Sequence, residues 1–148
     1  MVIVPAAIYF LLTTFSPLLF FNLSSREPPM AFAFEKLLVY QKSVDFADQI
    51  CSKTEGFPRG YGFLVDQVNR ASLSIAANIA EGNGRFTKPD RRNFFGIARG
   101  SVQECVPLLE LALRRNLLTP TDHEALKSQL EEIARMLSGL INSLEDRD

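Results

Sequence analysis

Thr119-Pro120-Thr121-Asp122 opens a stretch in which apolar residues return as Leu126, Leu130, Ile133, Leu137, Leu140 and Leu144. Steps of 4-3-4-3-4 draw one stripe along an α-helix and make a seam for near-parallel helix packing. Thr119 suits the N-cap, Pro120 the first helical position and Asp122 the first turn, where a carboxylate meets the positive end of the helix dipole. This is the fourth helix of the chain, and its seam requires partner helices.

Those partners lie upstream. Helix three is predicted from Thr87 to about Asn116. Thr87 and Asp90 resemble a capping box, and Pro89 falls in the first turn, where its missing N–H costs little. Phe94, Ala98, Ser101, Cys105 and Leu108 form one apolar line, and Phe95, Ala98, Val102 and Leu109 a second. That is more than one face's worth, which points either to a partner surface or to a thick core contact around Phe94 and Phe95. Pro107 predicts a kink. Helix two is expected from Tyr61 to Glu81 on Tyr61, Val65, Val68, Ser72, Ile75 and Ile79, beside the line Leu64, Val68, Ala71 and Ile75. Its small residues allow close helix approach, and Gly82-Asn83-Gly84 ends it. Helix one is expected from Phe34 to Lys53, with Leu37, Tyr40, Val44, Ala47 and Cys51 as its apolar stripe and Gly56-Phe57-Pro58 as its stop. No alternating strand pattern interrupts the series. Short connections make sequential helices antiparallel, so the fold class is all-α, an antiparallel up-down-up-down four-helix bundle over residues 30–148.

Residues 1–29 read differently. No charged side chain occurs from Met1 to Ser25. Three readings compete. A signal peptide would open with basic residues, which are missing. A membrane span has the required length, but Pro17 interrupts it and only Arg26 flanks it closely. The third reading, the one favoured, is a mis-called start upstream of a true Met30. If retained, the stretch would tether the bundle to a membrane.

The 148 residues carry 16 basic and 17 acidic side chains, so global charge gives no reason to expect nucleic acid. Local charge does. Arg85, Lys88, Arg91 and Arg92, with Arg99, set five positive charges against Asp90 alone. Lys88, Arg92 and Arg99, at steps of four and seven, lie near one helix face and suit phosphate contacts, with Arg70 as an outlying contributor. The start of helix three would add backbone N–H donors. The competing reading is a solvated face neutralised within the chain. Residues 121–148 offer seven acidic residues for that role, among them Asp122, Glu131 and Glu145. At the end of helix two, Asn78, Glu81 and Gly82 read as structural: a buried Asn fixes register, and Glu81 can pair with Arg85.

No catalytic residue, metal site or cofactor is expected. His123 is the single histidine, placed in the first turn of helix four and expected in water, with no Glu-x-x-His motif. Cys51 and Cys105 form no metal pattern and read as small buried hydrophobes. Two unpaired cysteines fit a reducing, cytoplasmic setting. Gly82-Asn83-Gly84 follows no strand and precedes no Gly-Lys-Ser/Thr, so it is not a phosphate loop.

Several of these residues carry a family likeness. Phe34-Glu35-Lys36-Leu37 with Val39-Tyr40-Gln41-Lys42, then Phe57-Pro58, Tyr61-Gly62, Gln67 and Arg70-Ala71-Ser72-Leu73-Ser74-Ile75, resemble the small bacterial four-helix bundle proteins of ribosomal-RNA intervening sequences. Ala77-Asn78-Ile79-Ala80-Glu81-Gly82, Gly84-Arg85, Phe94, Ala98-Arg99-Gly100-Ser101, Glu104 and Met136-Leu137-Ser138-Gly139-Leu140-Ile141 extend the resemblance over about 34–144. It implies an up-down bundle assembling into a ring-like homo-oligomer, commonly a pentamer. It also implies kinship with the accessory protein of diversity-generating retroelements, which binds nucleic acid and a reverse transcriptase. Family members begin shortly before the Phe-x-Lys-Leu segment, in keeping with Met30 as the start. Pro107 and the near-neutral charge depart from the pattern. The expectation is therefore a non-enzymatic oligomeric bundle that contacts RNA or DNA through its basic face. The alternative is a protein-interaction scaffold without a nucleic-acid ligand.

Overall fold

Helix caps written in the sequence set where the chain turns. A computed structural model describes residues 32–145. The expectations for residues 1–29, for Met30 and for the acidic residues beyond Glu145 lie outside that range. A 3-10 turn at Ala33–Lys36 leads into α1 (Leu38–Thr54), and a second at Arg59–Tyr61 leads into α2 (Gly62–Asn83). They are followed by α3 (Lys88–Arg114) and α4 (Pro120–Ser143). The helices contact one another in the order α1–α2, α2–α3, α3–α4 and back from α4 to α1. This is the up-down-up-down bundle, with α2 and α3 sharing the most intimate contact.

The α3 and α4 starts are built alike. Thr87 Oγ1 accepts the Asp90 N–H at 3.2 Å, and Thr119 Oγ1 accepts the Asp122 N–H at 3.1 Å, each with Pro next to the cap. Each hydroxyl satisfies one of the donors a helix start leaves open. α3 ends two residues earlier than expected. Asn116 takes a left-handed φ of 56°, and the Leu117 N–H reaches back to the Ala112 carbonyl at 2.9 Å. Asn tolerates that conformation better than most residues. Pro107 lies within α3, which continues for seven residues beyond it.

The seam on α4 buries Leu126, Leu130, Ile133 and Leu137, then Ile141, leaving Leu140 and Leu144 half-buried. Both apolar lines of α3 turn toward the core: Phe95, Ala98, Ser101, Val102, Cys105 and Leu109 are buried, while Phe94 and Leu108 at the ends of the first line are half-buried. The wide face is thus a thick core contact. α3 instead leaves Ile97, Val106 and Leu111 exposed.

Helix one requires a correction. Its buried face is Val39, Ser43, Phe46, Ala47, Ile50 and Thr54, while Val44 and Cys51 are exposed. The stripe is rotated because two polar residues occupy core positions. Ser43 donates to the Val39 carbonyl at 2.7 Å, and Thr54 to the Ile50 carbonyl at 2.9 Å. A hydroxyl bonded to its own helix can be buried without an orphaned donor. Of the two cysteines only Cys105 is a buried hydrophobe; burial pushes its thiol up to about 12.

α2 also runs longer than expected, to Asn83. Gly82 sits inside the helix and is buried rather than ending it. Gly84 keeps a negative φ of −79° and caps through its N–H to Ala80 and Glu81 carbonyls. Asn78 anchors a polar chain between α2 and α3. Its amide donates to Ser74 Oγ at 3.0 Å, Ser74 and Ser101 hydroxyls meet at 2.9 Å, and Ser101 bonds the Ile97 carbonyl at 3.1 Å.

Candidate nucleic-acid interface

The turn between α2 and α3 and the first turns of α3 gather Arg85, Lys88, Arg91 and Arg92. Glu81 forms an ion pair with Arg85, one helical turn apart, and the Arg85 guanidinium rests 4.4 Å from the centre of the Phe94 ring. Arg91 is half-buried, and its Nη2 donates to the Asn83 carbonyl at 3.1 Å. Arg85 and Arg91 therefore clamp the turn. Each retains donors beyond these contacts, because a guanidinium carries five N–H groups.

Lys88, Arg92 and Arg99 follow the α3 edge of a groove between α3 and α4. One end of the groove is lined by Lys88, Pro89, Arg92, Asn93 and Gly96, facing Leu144 and Glu145. Further along, Arg99 and Gln103 face Arg135, Ser138, Gly139 and Asn142. The spacing of four and seven sets the three cations along the α3 side of two depressions between α3 and α4, Lys88 and Arg92 in one and Arg99 in the other. Arg135 is a fourth cation that the sequence reading did not assign to the face. Its signal was available: Arg135, Ser138, Gly139 and Asn142 recur at steps of three and four on the polar side of α4. Small residues on the groove (Gly96, Ser138, Gly139) leave room; a Cβ at Gly96 or at Gly139 would meet nothing within 4 Å.

Three features depart from the expected site. Arg70 stands apart, about 20 Å along α2 from the turn at 1.5 Å per residue; it bonds Gln67 and faces Glu104 at 3.9 Å. The first turn of α3 offers few backbone donors, because Pro89 has no N–H and those of Asp90 and Arg91 are taken by Thr87. Arg92 forms an ion pair with Glu145, so the C-terminal acid expected as an internal partner does occupy the groove. Such exposed pairs are weak, about 0–1 kcal/mol.

His123 is less exposed than expected. Its side chain is 12% accessible, with Nε2 3.6 Å from Glu110 Oε2. A hydrogen bond from Arg114, helped by the charges of Arg114, His123 and Lys127, holds the Glu110 carboxyl below its ordinary range. Among the described residues no group of three or more His, Cys, Asp or Glu side chains could hold a metal ion. No described helix is long and apolar enough to cross a membrane.

On the opposite side of the α2–α3 pair, the Arg70–Glu104 contact is flanked by exposed apolar side chains. Phe63 is seven residues before Arg70 and Leu73 three after it; Ile97 and Leu111 lie seven residues either side of Glu104. That periodicity puts them on one surface.

Residues 35–139 match the family model described as 23S rRNA-intervening sequence protein, and the chain belongs to that family. It is similar to a protein of unknown function from the S23 ribosomal protein family of Bacteroides thetaiotaomicron VPI-5482, whose crystal structure extends to 1.70 Å. The two share 27% identity with a TM-score of 0.62, over 70% of this chain and 98% of that one. No curated protein matches the chain.

Proposed function

We propose that the protein is a non-enzymatic, oligomeric four-helix bundle that binds RNA or DNA through the groove between α3 and α4. The observation that carries this reading is that Lys88 and Arg92 line one open depression between α3 and α4, and Arg99 and Arg135 a second, each with small residues on its walls. A polyanion matches that pattern, because phosphates recur along a strand as the cations recur along the groove. The family's association with 23S rRNA intervening sequences favours RNA among the polyanions. The apolar surface around Arg70 and Glu104 supports self-association, since Phe63, Leu73, Ile97 and Leu111 would leave water together. A non-enzymatic role is supported by the buried Cys105 thiol, pushed up to about 12 and so without thiolate at neutral pH.

Titrating the purified protein with single-stranded RNA and with duplex DNA at low and moderate salt tests the groove. Binding should weaken steeply with salt, because each phosphate contact releases counterions. Affinity that stays flat would remove phosphate contacts from the mechanism.

A second reading rests on the ion pairs themselves. Glu81 and Glu145 neutralise Arg85 and Arg92 within the chain, which suits a scaffold for a protein partner, such as a reverse transcriptase, with no nucleic-acid ligand. Absence of nucleic-acid binding at low salt would select it.

A further inference from the structure

Phe86 is 103% exposed, whereas the other large exposed apolar side chains among the described residues range from 38% to 64%. No side chain covers it, and the residues on either side are tied to other partners. On one side Arg85 is held by Glu81 and by the Phe94 ring. On the other, Thr87 is fixed by its hydroxyl contact to the Asp90 carboxylate at 2.6 Å and by its acceptance of the Asp90 N–H. The turn is pinned at both ends with an aromatic ring pointing into water. Lys88, two residues on, begins the basic groove.

We infer that Phe86 is a stacking platform for an unpaired base, so the ligand of the groove is single-stranded nucleic acid. This rests on the nucleic-acid reading of the groove and sharpens it. A single strand laid along Lys88, Arg92 and Arg99 through its phosphates carries bases free to rotate outward. Every base has a π-face, and an exposed ring beside cations is the usual partner for it. A paired duplex keeps its bases stacked on one another and offers Phe86 nothing comparable. The ring therefore contributes discrimination between strands, while the cations contribute attraction to either.

The chain contains no tryptophan, so Phe86→Trp installs a single reporter at the site. Titration with an oligouridylate should quench its emission, and Phe86→Ala should weaken oligouridylate binding about tenfold or more. Duplex binding of equal length should change less than twofold, and Phe86→Tyr should bind like the parent. Circular dichroism should show the same helix content throughout. Unquenched tryptophan at saturation, or Phe86→Ala binding as tightly as the parent, overturns the stacking role while leaving the groove intact. A drop in assembly mass on light scattering for Phe86→Ala, with oligouridylate affinity unchanged, assigns the ring to contacts between copies and overturns it too. Failure of the parent protein to bind either nucleic acid at low salt removes the groove reading and this one with it.

Discussion

Gly82 on α2 lies against Phe95 on α3 so closely that a Cβ on Gly82 would stand 2.8 Å from Phe95 Cε1 and 3.0 Å from Phe94 Cβ. The glycine is there for helix approach, not for turning. Phe95 is itself buried and cannot swing into solvent. Gly82→Ala should therefore destabilise the protein by about 1–3 kcal/mol, the range of overpacking, although Ala is the better helix former by about 1 kcal/mol. The same exchange at Gly139, where a Cβ meets nothing within 4 Å, should stabilise by up to about 1 kcal/mol. Urea denaturation of the two variants checks the sign reversal; equal effects would mean the α2–α3 contact yields.

The pairing of Arg92 with Glu145 predicts competition. Phosphate and carboxylate seek the same guanidinium, so Glu145→Gln should raise nucleic-acid affinity, by no more than about fivefold given the modest strength of an exposed pair. Arg92→Glu with Arg99→Glu should abolish binding and leave the thermal midpoint within a few degrees. Fluorescence anisotropy at fixed salt reads both. An unchanged affinity in the double variant would take these arginines out of the interface.

The contact of Lys53 with Asp122, 2.8 Å long, ties the end of α1 to the start of α4. That hydrogen bond, joined by one from Thr119, holds the Asp122 carboxyl below its ordinary range. A depressed folded-state value means the stabilisation is complete above the unfolded value near 3.9 and is lost as pH falls through the lower folded value. Stability should therefore decline as acid protonates Asp122, and Asp122→Asn should flatten that decline without steepening it elsewhere. Denaturation curves of parent and variant at neutral pH and below about pH 4 test this. Parallel pH profiles would show that the pair makes no difference.

The polar chain from the Asn78 amide through the Ser74 hydroxyl to that of Ser101 joins α2 to α3. Ser101→Ala should cost about 1 kcal/mol, the usual net worth of such a bond, and should become nearly neutral once Ser74 is also Ala. A double-mutant cycle measures the difference. Strict additivity would mean the serines are merely small.

These relationships show what could be read from residues alone. α4 was readable because its apolar residues recur without a polar interruption and its Thr-Pro-x-Asp start is unambiguous. α1 was misjudged in rotation because Ser43 and Thr54 hide among core positions, and a buried hydroxyl looks like any surface residue until its carbonyl partner is known. Gly82 looked like a stop signal because its packing partner Phe95 is distant in sequence. The line of Lys88, Arg92 and Arg99 was readable from helical spacing within one element. Arg135 was not, because its neighbourhood depends on how α4 docks beside α3. The pairing of Glu145 with Arg92 depends on the same docking, so the acidic tail identifies a source of internal partners without saying which arginine it meets.

Cys51 faces solvent on α1, a helix that does not border the basic groove, while Cys105 is sealed in the core with its thiol pushed up to about 12. An alkylating dye at neutral pH would thus find one address per chain, and that address is already present in the natural sequence. Labelled and unlabelled protein could be mixed, and stepwise photobleaching would then count the copies in an assembly while the groove stays open to its ligand. The unequal burial of two cysteines makes subunit number countable without altering a residue.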